Sequence, residues 1–169
     1  MTVLARGRAA LMTVALVAVL AGCGTASASG IARLDPSAAG PDTGTGVLLR
    51  FGDHVATATL TDTPESRQFA AMLPATVDLR DVWAQAKSGR LPRSITIEGS
   101  TPVHDPVPGD IYFWPTTDVL AIYYADLGQA VPDPGLVRLG ALDTGLDDLG
   151  NSGRRAAVRI ELADPARRP

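Results

Sequence analysis

Short segments with β-strand patterns recur between residues 47 and 162, each bounded by a turn signal. Several of them alternate apolar and polar side chains, the pattern of a strand with one buried face. The eight segments are residues 47–51, 54–60, 75–80, 93–98, 110–114, 119–124, 136–140 and 155–162. Eight strands in about 120 residues predict a mainly β fold, a closed eight-stranded antiparallel barrel with two short helices.

The first connections in this pattern are well defined. Gly52 and Asp53 separate the first two strands, which predicts a hairpin with a type II′ turn and Gly in its first position. The first helix begins next, with Thr63 as N-cap and Pro64 in the first turn, and Pro74 ends it. The chain therefore starts its folded unit as strand, strand, helix.

Later connections are assigned by their composition. We interpret residues 83–89 as a loop, and residues 99–109 contain three prolines and cannot form the interior of a paired strand. The run from Thr144 to Asp147 resembles a capping box with Asp in place of Glu, so we expect a one-turn helix that stops near Gly150.

The N-terminal segment is typical of an export signal. Arg6 and Arg8 precede an apolar stretch, residues 11–20, that is too short to span a bilayer. Leu20-Ala21-Gly22-Cys23 has the residue order of a lipoprotein cleavage site, which predicts removal of residues 1–22 and acylation of Cys23, for example with palmitate. Two alternatives are a plain secretory signal cut near residues 26–28 and a short membrane anchor.

Cys23 is the only cysteine, and lipidation would leave no free thiol in an oxidising compartment. We expect the protein to be a lipoprotein of the cell envelope, anchored on the outer face of the cell membrane. Residues 23–45 are rich in small and polar residues and are interpreted as a flexible tether. The folded domain is expected at residues 46–163, followed by a disordered tail at residues 164–169.

Charge limits the classes of partner. Without the two arginines of the signal, 13 basic residues remain against 18 acidic ones, a formal charge of −5. This balance argues against nucleic acid and polybasic membrane binding. We expect a monomer without a cofactor, whose partners are the membrane, through the lipid, and a peptide or another envelope protein.

Several local motifs add a resemblance that covers residues 47–162. They are Leu91-Pro92-Arg93, Glu98-Gly99, Pro108-Gly109-Asp110-Ile111-Tyr112, the run from Leu120 to Asp126, the run from Gly135 to Gly140, and Gly145-Leu146. The chain resembles the bacterial cyclophilin-like domain family, small barrels of largely undefined role. The resemblance implies the same order of strands and helices as in cyclophilins.

The sequence departs from catalytic cyclophilins. The strings that surround the active-site arginine of prolyl isomerases do not occur here, although Arg80 lies on the strand where such an arginine is found. Prolyl isomerase activity is therefore not implied by the resemblance. Arg80 remains a weak catalytic candidate, as the electrostatic group of a divergent isomerase.

Aromatic residues are the best functional indication. By strand alternation Tyr112 and Trp114 share one face and Ile111 and Phe113 the other. We expect Ile111 and Phe113 to fill the barrel, which would leave Tyr112 and Trp114 outside as a sticky surface for an apolar or prolyl peptide. In the alternative, loop 99–109 and a helix cover them. Tyr123 is a further ligand-binding candidate.

Polar candidates are weaker. Glu98 and Asp110 bound the same loop and could act as an acid–base pair; alternatively Asp110 accepts backbone N–H bonds and Glu98 pairs with Arg93 or Arg80. His54 and His104 lack the spacing of metal ligands, so we expect no metal site.

Three functions follow as hypotheses. The first is a tethered module that binds a peptide or small ligand, with Arg80, Glu98, Tyr112, Trp114 and Tyr123 as candidate contacts and no established catalysis. The second is a divergent peptidyl-prolyl isomerase. The third is an accessory partner of another envelope protein.

Overall fold

The computed structural model describes residues 44–164. The predicted signal, Cys23 and almost all of the tether and tail lie outside these residues. The elements are β1 (Thr45–Phe51), β2 (His54–Leu60), α1 (Pro64–Ala70), β3 (Ala75–Val82), β4 (Ala86–Arg90), β5 (Asp110–Trp114), β6 (Val119–Tyr123), β7 (Val137–Thr144), α2 (Leu146–Gly150) and β8 (Arg155–Leu162). No helix in this part of the chain is long and apolar enough to cross a membrane.

The eight strands form a closed antiparallel barrel, as predicted. Their order around the barrel is β1-β2-β7-β5-β6-β4-β3-β8. Chain neighbours β1 and β2 form the expected hairpin, in which Phe51 lies opposite His54 and Gly52 has a φ of 53°. Closure leaves no strand edge, so every strand is paired on both sides.

Alternate residues of each strand point into the barrel, and most of these residues are apolar. Val77 and Leu79 of β3 and Ile111 and Phe113 of β5 are buried in this core, as the alternation predicted. Helix α1 lies against β7 and buries Phe69 in the same core.

The start of α1 agrees with the sequence prediction. The Thr63 hydroxyl accepts a 3.2 Å hydrogen bond from the Ser66 backbone N–H, and Pro64 occupies the first turn. This cap satisfies one of the backbone donors that the first turn of a helix leaves free.

One strand was assigned to the wrong segment. Residues 86–90 form β4, between β3 and β6, where a loop was expected, and residues 93–98 are irregular. Ile95 of this segment is buried in the core, and the backbone beside it is held by a side chain of α1. The Gln68 side chain donates to the Thr96 carbonyl and accepts from the Thr96 N–H, at 2.9 Å each. A helix side chain thus replaces the partner strand.

Gly89 lets β4 approach β3 closely. A Cβ atom there would lie 2.6 Å from the Asp78 carbonyl oxygen, so only glycine allows β4 to pack this closely against β3.

The capping box expected for α2 is also wrong. The N-cap is Gly145, with a φ of 81° and no side-chain cap. The Thr144 hydroxyl instead accepts a hydrogen bond from the Thr57 N–H across the β2–β7 pair. A Cβ atom at Gly145 would lie 2.7 Å from that of Ala56, which explains the glycine.

Candidate functional site

The sequence-predicted aromatic surface is largely buried. Tyr112 points away from the barrel core, as alternation required, but is only 1% exposed, and Tyr123 beside it is buried too. Their rings meet edge to face with centroids 5.7 Å apart. The expectation of an exposed Tyr112 is therefore wrong. The alternative, in which loop 99–109 and a helix cover the aromatic residues, is correct for the loop.

The cover consists of loops, and the expected helix takes no part in it. Three apolar side chains pack on Tyr112 and Tyr123: Val103 of loop 99–109, and Val131 and Leu136 of the connection between β6 and β7. Trp114 lies partly exposed at the margin of this cluster. Val103 and Leu136 are joined by a β-bridge with backbone bonds of 2.8 and 2.9 Å. This second apolar cluster fixes the loop on the outside of the barrel.

A partly buried polar network lies beneath that cover. The Arg138 guanidinium donates to both oxygens of the Asp110 carboxylate, at 2.7 and 3.0 Å, and the Tyr112 hydroxyl donates to the same carboxylate at 3.0 Å. The Val107 N–H in turn donates to the Tyr112 oxygen at 3.1 Å. Burial, together with the Asp110 charge and hydrogen bond, raises the pKa of Tyr112 well above its usual range, so the phenol stays neutral.

This network holds loop 99–109 on the barrel and engages both oxygens of the Asp110 carboxylate. Asp110 binds Arg138 and Tyr112, and within residues 44–164 its carboxylate accepts no hydrogen bond from a backbone N–H, contrary to the sequence interpretation. Glu98 lies apart from it, where its own N–H donates to the buried Glu65 carboxylate at 2.7 Å. Within residues 44–164 the Glu98 carboxylate forms no ion pair, so the expected pairing with Arg93 or Arg80 is wrong.

A second cluster at the β3–β4 turn was not anticipated from the sequence. The Lys87 ammonium group, only 1% exposed, donates to the Asp81 carboxylate at 2.8 Å and to the Gly153 carbonyl. The Tyr124 hydroxyl donates to the same Asp81 oxygen at 2.8 Å. Burial raises the pKa of Asp81, but the hydrogen bonds from Lys87 and Tyr124 outweigh it and hold that pKa below its usual range.

Asp81 also organises the turn that follows it. Its second oxygen accepts a 3.1 Å hydrogen bond from the Ala84 N–H. The Gln85 N–H donates to the Val82 carbonyl, the bond that closes the turn. Trp83 and Ala84, the two central residues, have φ values of 53° and 54°, a left-handed conformation usually taken by Asn and Gly. Trp83 lies at the tip of this turn and is 65% exposed. The structure thus presents a bulky indole on a tightly held turn.

Arg80 lies on the outer face of the barrel, away from the aromatic candidates. It lines a groove of about 310 Å³ with Arg155, which is directly opposite on β8. It also lines one of about 440 Å³ with Ser88 and Arg90 of β4. Neither groove includes Glu98, Tyr112, Trp114 or Tyr123, so the structure separates Arg80 from the other sequence-predicted contacts.

The two histidines have different neighbours. His54 lies 3.5 Å from Asp148, and His104 contacts the Val131 carbonyl at 2.8 Å and Asp133 at 3.6 Å. Within residues 44–164 no group of three potential metal ligands comes together.

Comparison with known proteins agrees with this architecture. A family model described as the cyclophilin-like family matches residues 49–161. A hypothetical protein from Archaeoglobus fulgidus, solved in solution, is similar in fold, with a TM-score of 0.53 and 17% identity over 74% of this chain and 99% of that protein. No curated protein matches the chain.

Proposed function

The chain belongs to the cyclophilin-like family, and we propose that it is a lipid-tethered module that binds a peptide on the outer side of the cell membrane. The β3–β4 turn with Trp83 at its tip makes the contact. The anchor is the acylated Cys23, and residues 23–45 are the tether.

The observation that carries this proposal is the exposed Trp83 indole on a fixed turn. Tryptophan combines a large flat apolar surface with one N–H donor, and it is enriched among the residues that dominate binding energy. Asp81 binds the turn at Ala84 and is itself held by Lys87 and Tyr124. A turn whose backbone is already ordered loses little backbone entropy when it binds a partner.

The left-handed backbone of the turn supports the same proposal. An L residue with a side chain is disfavoured at positive φ, and such strain collects at sites of function. Two successive residues, Trp83 and Ala84, carry it here. Asn and Gly adopt this backbone at less cost, so a tryptophan here lowers the stability of the turn and calls for another role.

The alternative, a divergent prolyl isomerase with Arg80 as its electrostatic group, has less support. In the described part of the chain the grooves that Arg80 lines contain no aromatic side chain to hold a proline ring. Acceleration of prolyl isomerisation by the purified protein, lost on Arg80→Ala, would reverse this preference.

The test is selection of peptides from an immobilised library by the full chain in nonionic detergent. We expect the selected peptides to lose most of their affinity for Trp83→Ala, with unchanged circular dichroism. Val55→Ala is the matched control, because Val55 is also an exposed apolar residue on the surface. Peptides that bind Trp83→Ala and the unaltered chain equally would overturn the proposal.

The anchor is tested separately in a bacterium that processes lipoproteins. Mass spectrometry of the mature protein should find acyl chains on an N-terminal Cys23. Cys23→Ala should abolish the modification, and an unmodified N-terminus beyond residue 23 in the unaltered chain would contradict it.

A further inference from the structure

We propose that Arg80 and Arg155 form a binding site for a phosphate group on the outer face of the barrel. This site is separate from the Trp83 turn and does not depend on the function proposed above.

The pairing of β3 with β8 places the two arginines directly opposite each other. In an antiparallel pair, residues at such positions have Cβ atoms about 5 Å apart, and like charges there destabilise the sheet. Both side chains are exposed and line the same groove of about 310 Å³. The two positive charges therefore face one small open space.

The barrel contains an internal comparison on the same strand. Arg159 of β8 lies directly opposite Arg50 of β1, so this is a second pair of facing arginines. Glu161 neutralises that pair: its carboxylate accepts from Arg50 at 2.7 Å and from Arg159 at 3.3 Å. In that pair a shared carboxylate therefore offsets the repulsion between the two arginines.

No such carboxylate serves the Arg80–Arg155 pair. Among residues 44–164 neither guanidinium forms an ion pair, and Asp78, which lines the same groove, is not close enough to either one to do so. The groove thus holds two arginines and one acid, an excess of positive charge that an external anion can balance.

The shape and chemistry of the groove favour a phosphate group. Two guanidinium forks can each give two parallel hydrogen bonds to phosphate oxygens. Ala156 and Ala157 beside them are small and leave room. The adjoining groove, on the other side of Arg80, offers hydroxyl donors from Thr76 and Ser88. Arg90 also lines that groove, but it forms an ion pair with Asp118 at 3.8 Å.

The experiment is calorimetric titration of the full chain in nonionic detergent with two probes. Inorganic phosphate represents a free phosphate, and dimethyl phosphate, a water-soluble diester, represents a lipid headgroup. We expect saturable binding of at least one probe. Tighter binding of inorganic phosphate identifies a free phosphate as the source, and tighter binding of dimethyl phosphate identifies a headgroup.

Variants connect the binding to this groove. Arg80→Gln and Arg155→Gln should each weaken it about tenfold or more, because each removes charge-assisted hydrogen bonds. Arg80→Lys, which keeps the charge without the planar fork, should lose less affinity.

Two variants of other residues serve as comparisons. Asp78→Asn should tighten phosphate binding, because it removes the acid from the groove. Arg50→Gln, from the neutralised pair, should leave phosphate binding unchanged. Failure of both probes to saturate, or equal binding by Arg155→Gln and the unaltered chain, would overturn the proposal.

Discussion

Lys87 points into the end of the barrel and donates a 2.8 Å hydrogen bond to Asp81 on the neighbouring strand. The two residues are directly opposite in the β3–β4 register. A buried ammonium group is tolerated only when its charge is paired and its donors are used. The Asp81 carboxylate therefore stabilises both the lysine and the turn that carries Trp83.

Asp81→Asn should lower the free energy of unfolding by roughly 3 kcal/mol, because it leaves the Lys87 charge buried without a counter-charge. Adding Lys87→Met should recover part of that loss, since the unpaired charge is then gone. Asp78→Asn, on the exposed face of β3, is the matched control and should have little effect. Urea unfolding measures all three, and an equal loss for Asp78→Asn and Asp81→Asn would contradict this account.

Acid should destabilise the protein through Glu65 and Asp81. Burial raises the pKa of Glu65, but hydrogen bonds from the Ser100 side chain and the Glu98 N–H outweigh it and leave that pKa below its usual range. As the pH falls, the unfolded chain takes up protons first, at about pH 4. The contribution of these groups is therefore complete above that pH and is lost as the pH falls through the lower folded pKa.

Glu65→Gln tests this dependence, because it removes the charge and keeps an oxygen that can accept from the Glu98 N–H. The variant should be less stable at neutral pH, and its free energy of unfolding should fall less steeply between about pH 6 and pH 2. Urea unfolding over that range provides the comparison. An unchanged slope would show that Glu65 titrates alike in the folded and unfolded chains.

The sequence predicted the barrel wherever side-chain alternation follows the pleat of a regular strand. Val77, Leu79, Ile111 and Phe113 are examples, and each is buried in the core. It failed for β4, whose residues Ala86 to Arg90 include no β-branched or aromatic side chain. That strand exists because β3 and β6 pair with it on both sides, a tertiary effect that outweighs local propensity.

The candidate site was harder to predict because its parts are distant in sequence. Asp81 and Tyr124 are 43 residues apart, and Arg80 and Arg155 meet only through the β3–β8 pairing. Arg80 itself was identified from its strand, but register, which decides its neighbour, depends on closure of the barrel. The signal available in the sequence was a tryptophan, Trp83, between an acid and a lysine.

Tyr112→Phe should destabilise the protein by about 2 kcal/mol. The ring would still fill its place in the outer cluster, but the Val107 N–H would lose its acceptor. Hydrogen exchange at the Val107 amide should accelerate as the loop loosens. Tyr123→Phe is the control, since within residues 44–164 the Tyr123 hydroxyl forms no hydrogen bond. Equal effects of the two variants would contradict the proposed role of the Tyr112 hydroxyl.

Ala84→Gly should raise the free energy of unfolding by about 0.5 kcal/mol, because glycine adopts positive φ without the steric cost of a Cβ atom. Ala84 has a φ of 54° and is the second central residue of the turn, where glycine is preferred. Ala157→Gly, on the exposed face of β8, should lower stability by a similar amount. Thermal unfolding of both variants measures the difference, and destabilisation by Ala84→Gly would show that the turn is not strained there.

Arg155→Gln should raise stability in the absence of an anion, because it relieves the repulsion between facing arginines. We expect about 0.5 kcal/mol at low ionic strength and less as salt screens the two exposed charges. Arg159→Gln should bring no such gain, since Arg159 already shares Glu161 with Arg50. The melting temperatures of both variants, measured with and without phosphate, separate the repulsion between the arginines from the stabilisation by bound phosphate. Phosphate should stabilise the unaltered chain and Arg159→Gln but not Arg155→Gln, so a site that costs stability when empty would regain it when occupied.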